Sequence, residues 1–547
     1  GARGGALAAR SGGAMLAFND VERIEVVRGP GGPLWGANAV DGIISLVTRR
    51  SDATLGQRIA VGLGDGDVDR FAEARTGHRL GGWTWRLGLR WMDSAPGRLP
   101  AIDRSPWTAP RAVGDKASDE GLFRSAMLRI DSAEDRDGGA LSAWLGHRQG
   151  RFIDQRLVGG QPRDNANWFD LDYAAGEWRH GLAEGRTLTL RASLQRLDVG
   201  DATLEDAQRV FDVDLQHGGT NGRHTWTWGL GYNHYRSDTR TPQRSTTPPC
   251  TGCFGAEPQV GTDAKRSVFA QTQSDLGRGW TLIAGAKVED SRSMDWDAQP
   301  TVRLRWQPRF GGTFWGGWTR ALRSSTRLER DGALFNVPAS LATAFGCRRY
   351  ESGTCFVGDP SQAPWQVDVS ELGWRQQLST GFSLDAAVFE SRYANLGTTP
   401  GSRVRDTVHG VELVTQWLPW ERWSIDASVT WHRGRDRLIG QPGHIETLFL
   451  PELSGQLHVQ WSPHRDVDLD LRWWREDGRD TNSARIGVLP GQHRLDVRFA
   501  WRPAPGWETA LSIGNANDGR PTEYLEALRV NTAVPRSVTL SVAWSPP

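Results

Sequence analysis

The chain predicts an all-β fold, a 22-stranded antiparallel transmembrane β-barrel. Three observations predict it. Apolar and polar residues alternate with a period of two from about residue 55 to the C-terminus, placing them on opposite faces of extended chain. Tryptophan stands at both ends of otherwise aliphatic faces, where an amphipathic ring suits a membrane interface. Connections between the alternating segments are short and long by turns, as in barrels with tight turns at one rim and loops at the other.

In chain order, Trp83, Trp85, Leu87, Leu89 and Trp91 share a face, with Thr84, Arg86, Gly88 and Arg90 on the other. Trp226, Trp228, Leu230 and Tyr232 alternate with Thr225, Thr227, Gly229 and Gly231. The same reading holds for Trp423, Ile425, Ala427, Val429 and Trp431, for Val467–Trp473 and for Leu495–Trp501. Strands are expected at 55–64, 68–78, 82–93, 119–131, 138–150, 166–179, 185–198, 206–216, 223–237, 263–276 and 279–290. Further strands are expected at 297–307, 312–321, 365–378, 381–393, 403–418, 422–434, 446–462, 465–477, 491–503, 506–517 and 535–544. Long loops fall at 94–118, 151–165, 238–262, 322–364, 478–490 and 518–534. A sandwich core would also alternate, but charges opposite an apolar face need a wet lumen. The aromatic ends match two girdles separated by a bilayer.

Bulk properties exclude several classes. The 65 basic and 64 acidic residues leave a formal charge of +1, with no footprint for nucleic acid. Only Lys116, Lys265 and Lys287 are lysines; the other basic residues are arginines. No apolar run approaches the roughly 18 residues of a membrane helix, and mean hydropathy is −0.51. Alternating strands average to such a value, so hydropathy does not count against a barrel. Twenty-seven Trp against six Tyr is unusual; a Trp-rich propeller is the alternative, but no blade-length repeat supports it.

Residues 21–48, VERIEVVRGPGGPLWGANAVDGIISLVT, carry the strongest motif. Val21, Ile24, Val26 and Val27 read as a short buried strand. Arg28-Gly29-Pro30-Gly31-Gly32 reads as a turn. Small residues Gly36, Ala37, Ala39 and Gly42 allow close backbone approach before a second strand, Ile43–Thr48. The stretch resembles the C-terminal end of the plug domain of TonB-dependent outer-membrane receptors, siderophore receptors among them. TRALRSSTRLERD (319–331), ELGWRQQLSTGFSLDAAVFESRYANL (371–396), HGVELVTQWLP (409–419) and IGNANDGRPTEY (513–524) resemble the family's barrel in order.

The resemblance implies a division into a partial plug, residues 1–53, inside the lumen of a barrel, residues 54–547. It implies an outer-membrane location in a Gram-negative bacterium and active uptake of a solute too large for passive pores. A ferric siderophore or similar metal chelate is the expected cargo, with cobalamin, another metal complex or an oligosaccharide open. A TonB-type energy-coupling protein, a lipid bilayer around the wall and a monomeric state are implied as well. The chain opens GARGGALAAR without a long apolar core. A signal peptide, a TonB box and more plug are therefore expected upstream, making this an N-terminally truncated form. A passive porin-like barrel, or a nonfunctional truncated one, is the rival reading.

Four cysteines fall as Cys250 and Cys253, and Cys347 and Cys355, in two expected long loops. Two local disulfides are favoured; a four-cysteine zinc site and a redox CxxC are the alternatives. Arg28 is expected to anchor the plug, because guanidinium bridges several acceptors at once. Arg323, Arg327, Arg348, Arg349, Tyr350 and Trp365 cluster in or beside the 322–364 loop and suit an anionic, aromatic chelate. The bland role for each is surface or hinge. Few methionines argue against a thioether copper site. No cofactor or catalytic arrangement is expected: no HExxH, nucleophile elbow or P-loop is present.

Overall fold

The computed structural model describes residues 20–66, 68–97, 120–135, 138–158, 161–201, 203–242, 253–343, 347–396, 404–438, 451–480, 488–519 and 533–546. Twenty-two antiparallel strands close into a barrel. The first, Gly56–Asp65, pairs with its successor Arg70–Leu80 and with the last, Ser537–Trp544, whose Trp544 lies opposite Ile59. Each expected strand coincides with an observed one, most within a few residues.

The alternation is realised as two walls. Leu87, Leu89, Leu194, Leu230, Val302, Leu372 and Leu413 all face outward and are exposed, while Arg86 and Asp131 on the inner face have no exposed surface. A continuous greasy exterior of this kind belongs against hydrocarbon, and the polar interior is the side that can hold water and a plug.

Both rims of the outer wall carry outward tryptophans, with Trp431 and Trp473 exposed toward the long-loop side, but the two differ in what accompanies them. At the short-turn rim Trp280 stacks on Trp306 at 5.4 Å and Trp423 on Trp461 at 5.1 Å, with Trp507 beside Trp544. Toward the long-loop rim the outward positions become charged and paired: Arg70–Asp93 at 3.0 Å, Arg196–Asp198 at 2.7 Å and Arg320–Asp368 at 2.9 Å.

Three expectations need correction. Residues 151–165 are not a loop: Ala140–Val158 and Gln161–Leu182 run on as a hairpin, paired from Ala140 opposite Arg179 to Val158 opposite Gln161. Here the buried inward positions are filled by polar residues, Asp154 with Asn165 and Asn167 bonded to it, so the hydrophobic alternation that marks strands lower down disappears. Of the strand expected at 446–462, residues 446–450 lie outside the described residues, and the observed strand is Leu453–His464. Finally, Val21–Arg28 does form a strand, paired with Gly42–Thr48, but it is not buried. Ile24 faces Leu46 and Val26 faces Ile44 across this two-stranded sheet, and the four side chains are 43–72% exposed within the lumen.

Candidate functional site

The segment 20–55 is held in the lumen by two separate seats. The seat near the short-turn rim is built from charge. Asp131 accepts from the Ser51 backbone N–H at 2.8 Å, the Ser51 hydroxyl at 2.7 Å and the Ser142 hydroxyl at 2.7 Å. Arg129 holds Asp131 through Nε at 2.9 Å and donates through Nη1 to the Thr48 carbonyl at 2.9 Å. Arg86 donates to the Arg49 carbonyl at 2.9 Å and lies 3.7 Å from Asp20, which Arg75 also approaches at 3.7 Å. Guanidinium serves well here because its planar fork satisfies a carboxylate and a backbone carbonyl together.

The seat near the long-loop rim combines one buried carboxylate, Glu289 with Lys287 3.6 Å away, with neutral hydrogen bonds. The Ala37 N–H donates to Glu289 at 2.6 Å, and the Asn38 N–H to the Leu322 carbonyl at 2.7 Å. The Asn38 side-chain oxygen accepts from the Ser324 N–H and hydroxyl, both at 3.1 Å. Tyr393 donates to Asp41 at 2.8 Å, and Val40 packs on Ala321, Val367 and Val369. Two glycines are required. At Gly36, with φ +71°, a Cβ would stand 2.6 Å from the Lys287 ammonium; at Gly42 it would stand 2.9 Å from the Val27 carbonyl oxygen. Between the seats Arg28 donates to Glu412 of the barrel at 2.9 Å.

Above the long-loop rim two of the expected loops form one folded cap. Cys253–Ala256, from the 238–262 connection, pairs with Gly332–Phe335 of the 322–364 connection. Thr354–Phe356 and Arg349–Glu351 complete a four-stranded sheet. Ala256, Ala333, Phe335, Val337 and Cys355 are buried as its small core. A disulfide joins Cys347 to Cys355, and Cys253 is also disulfide-bonded. Cys250 lies outside the described residues.

The six residues singled out for ligand contact lie in or against this cap, and their side chains hold it together. Arg327, in the short helix Arg327–Asp331, is buried. It donates to the Ser237 hydroxyl at 2.7 Å, the Thr239 hydroxyl at 2.6 Å, the Gln259 carbonyl at 2.6 Å and the Pro258 carbonyl, so it clamps the helix to the neighbouring hairpin. Arg323 lies over the Trp365 ring at 4.1 Å and pairs with Glu329 at 3.1 Å. Arg348 pairs with Asp359 at 3.0 Å, Arg349 lies over Phe356 at 3.9 Å, and the Tyr350 hydroxyl donates to the Val337 carbonyl at 2.9 Å. Arg349, 61% exposed at its side chain, keeps the most surface toward solvent.

The helix is set by a capping box, in which Thr326 accepts from the Glu329 N–H while Glu329 accepts from the Thr326 N–H at 2.7 Å. Burial raises the Glu329 carboxyl, but that backbone donor and the charge of Arg323 outweigh it and hold the group below the usual range. Among the described residues no cluster of three or more His, Cys, Asp or Glu is arranged to hold a metal ion.

Asp131, Glu289, Asn38, Asp41 and Tyr393 were not singled out in the sequence. The only signal there is polarity on the lumen face; which polar residue meets the plug depends on strand stagger around the ring.

The fold has close counterparts among solved structures. The FrpB iron transporter of Neisseria meningitidis superposes with a TM-score of 0.74 at 14% identity, over 96% of this chain and 87% of that one. The ferric yersiniabactin uptake receptor FyuA of Yersinia pestis gives 0.75 at 13%, over 96% and 86%. At those identities the likeness is one of fold. The vitamin B12 transporter BtuB of Vibrio vulnificus is 38% identical over 56 residues, 10% of this chain and 9% of that protein's length. The model of the TonB dependent receptor-like β-barrel matches residues 84–516, most of the chain. The chain therefore belongs to the TonB-dependent receptor β-barrel family.

Proposed function

We propose that this protein is an outer-membrane active uptake receptor for a ferric siderophore or a similar metal chelate. Residues 1–53 act as plug and 54–547 as barrel, in a monomer surrounded by outer-membrane lipid. The observation that carries the reading is a segment inside a closed 22-strand ring, seated on the wall at both ends. A passive pore has no use for such a segment. The cap sheet of 253–256, 332–335, 349–351 and 354–356 lies on the loop side, so a chelate held beneath it would bear on residues 36–41. A barrel wall has no energy source of its own, so an energy-coupling protein of the TonB type must supply the work that shifts the plug.

The cap's buried Arg327 supports the vestibule, and Arg349, exposed and ion-paired with the equally exposed Glu351 at 3.4 Å, is our first candidate to meet an anionic ligand. Cobalamin is the second cargo to test, on the 56-residue likeness to a vitamin B12 transporter. The experiment is uptake of radiolabelled iron, presented on a panel of siderophores, and of labelled cobalamin. The host lacks its own receptors and is compared with and without its energy-coupling protein. Uptake of one cargo that requires the coupling protein supports the proposal. Equal uptake without it would make the barrel a passive pore.

A further inference from the structure

The barrel wall is split beside residues 37 and 38. Strand Met294–Trp306 pairs with strand Thr313–Arg323 from Trp306 opposite Phe314 to Thr301 opposite Thr319, and there the ladder stops. Both strands run on, each with its other neighbour only: 294–300 with Trp280–Ser291, and 320–323 with residues 365–368. The cause is in the sequence. In the continued register Pro300 stands opposite Arg320, and proline has no N–H to offer the next rung. The facing edges part as a fork that opens toward the long loops.

The segment in the lumen fills this fork. Buried backbone groups need partners, and Leu322, 4% exposed, finds both of its partners outside the ladder. Its N–H donates to the Gln299 side-chain oxygen at 3.3 Å, and its carbonyl accepts the Asn38 N–H at 2.7 Å. Gln299 is buried as well, and its amide donates to Glu289, the carboxylate that accepts the Ala37 N–H at 2.6 Å. Leu322 also packs on Ala37 and Met294. Asn38 is left-handed, with φ +78°, and the Ser324 N–H and hydroxyl on its side-chain oxygen hold it there. Residues 37 and 38 thus stand in for the missing rungs.

The same strand end carries the cap. Arg323 lies over Trp365 and pairs with Glu329, which closes the capping box of helix Arg327–Asp331. A second partner for Arg323 is already in place. Asp297 stands opposite it in the continued register and makes no ion pair of its own.

We propose that this fork couples the plug to the cap, with Gln299 as its positioning residue. With residues 37 and 38 seated, the strand ends stay apart and Arg323 serves the cap. When they withdraw, the Leu322 carbonyl loses its donor and the two edges close on each other. Arg323 then passes from Glu329 to Asp297, which unties the helix that begins the cap. What shifts either end shifts the other, as linkage requires, and the carrier is an element with two discrete arrangements. The proposal rests on reading residues 20–53 as the plug and is independent of which cargo crosses.

The test is amide hydrogen exchange of the full chain in nanodiscs, resolved to single residues, with folding checked by heat-modifiable gel mobility. Gln299→Met nearly keeps the volume and removes both side-chain bonds. Exchange is expected to rise about five- to tenfold in 36–41 and equally in 324–331, with 48–54 unchanged. Asn38→Ala reaches the fork from the other side and gives the same pattern. Arg375→Gln, which parts from Asp385 elsewhere on the lumen wall, changes neither region. Unchanged exchange in 324–331 in both fork variants overturns the coupling. Pro300→Ala adds a reporter amide, expected to exchange fast by itself and slowly when combined with Gln299→Met. A fast amide at position 300 in both backgrounds, or a slow one in both, overturns the closing of the fork. Free exchange of 48–54 in the unaltered chain would instead refute the reading of this segment as a plug.

Discussion

The two seats of segment 20–55 solve the same problem with different amounts of charge. One is a network of arginines and aspartates, and the other sets a single buried carboxylate among neutral hydrogen bonds. Near the short-turn rim the wall offers fully buried charge: Arg86 and Asp131 have no exposed surface, and each is matched by an opposite charge and by backbone of the plug. Near the long-loop rim it offers one buried carboxylate, Glu289 with Lys287 3.6 Å away, to the Ala37 N–H, neutral hydrogen bonds to Asn38, the Tyr393 hydroxyl to Asp41 and a small apolar contact at Val40. Removing one member of a buried charge network strands its partners, whereas losing a neutral bond leaves groups that water can serve. The loop-side seat is thus expected to be the weaker attachment, and the turn-side seat the stronger one.

The largest expected effect comes from Asp131→Ala, which leaves Arg129 and the Ser51 donors unmatched. A loss of about 3–5 kcal/mol is expected, read as a lower thermal midpoint and faster proteolysis of residues 20–55. A control outside both seats comes next. Trp228→Arg on the greasy wall should cost about 2–4 kcal/mol and impair assembly, scored by heat-modifiable gel mobility, while Thr227→Ser is tolerated. Asn38→Ala should cost only about 1 kcal/mol and loosen residues 36–41 without freeing 48–54, seen as spin-label mobility confined to the loop side. If Asn38→Ala releases the whole segment, the two seats are one.

The smallest effect concerns pH and the cap. The Glu329 carboxyl lies below its ordinary value, so its stabilisation is complete above about pH 4.3 and is lost as pH falls through the depressed value. Glu329→Gln should remove that acid limb, read by fluorescence of Trp365, and leave neutral-pH behaviour of both seats nearly unchanged.

How much of this was legible in the sequence depends on where water is. All 22 strands could be read because each has one face against lipid and one against the lumen, a contrast that writes itself into Trp83–Trp91 or Trp423–Trp431 as period two. The hairpin extension 151–165 was missed because its buried inward positions Asp154 and Asn165 are polar, so the sequence shows no hydrophobic contrast between the two faces. The exposure of Ile24, Val26, Ile44 and Leu46 was misjudged because apolar strand residues inside a protein are ordinarily covered, and here the lumen is wide. The cap was half seen. Its residues were picked out by type, but the pairing of Cys253–Ala256 with Gly332–Phe335 joins segments about eighty residues apart, and no local pattern records it.

The height of the wall varies around the ring. Ala140–Val158 and Gln161–Leu182 share nineteen residue pairs, whereas Gln492–Trp501 and Trp507–Gly514 share five, next to the seam that Ser537–Trp544 makes with Gly56–Asp65. Amide protons on the low side have fewer neighbouring ladder bonds to break before they meet deuterium. Exchange should begin there and spread toward the tall hairpin, so that the cylinder softens at the low flank while the tall flank stays rigid.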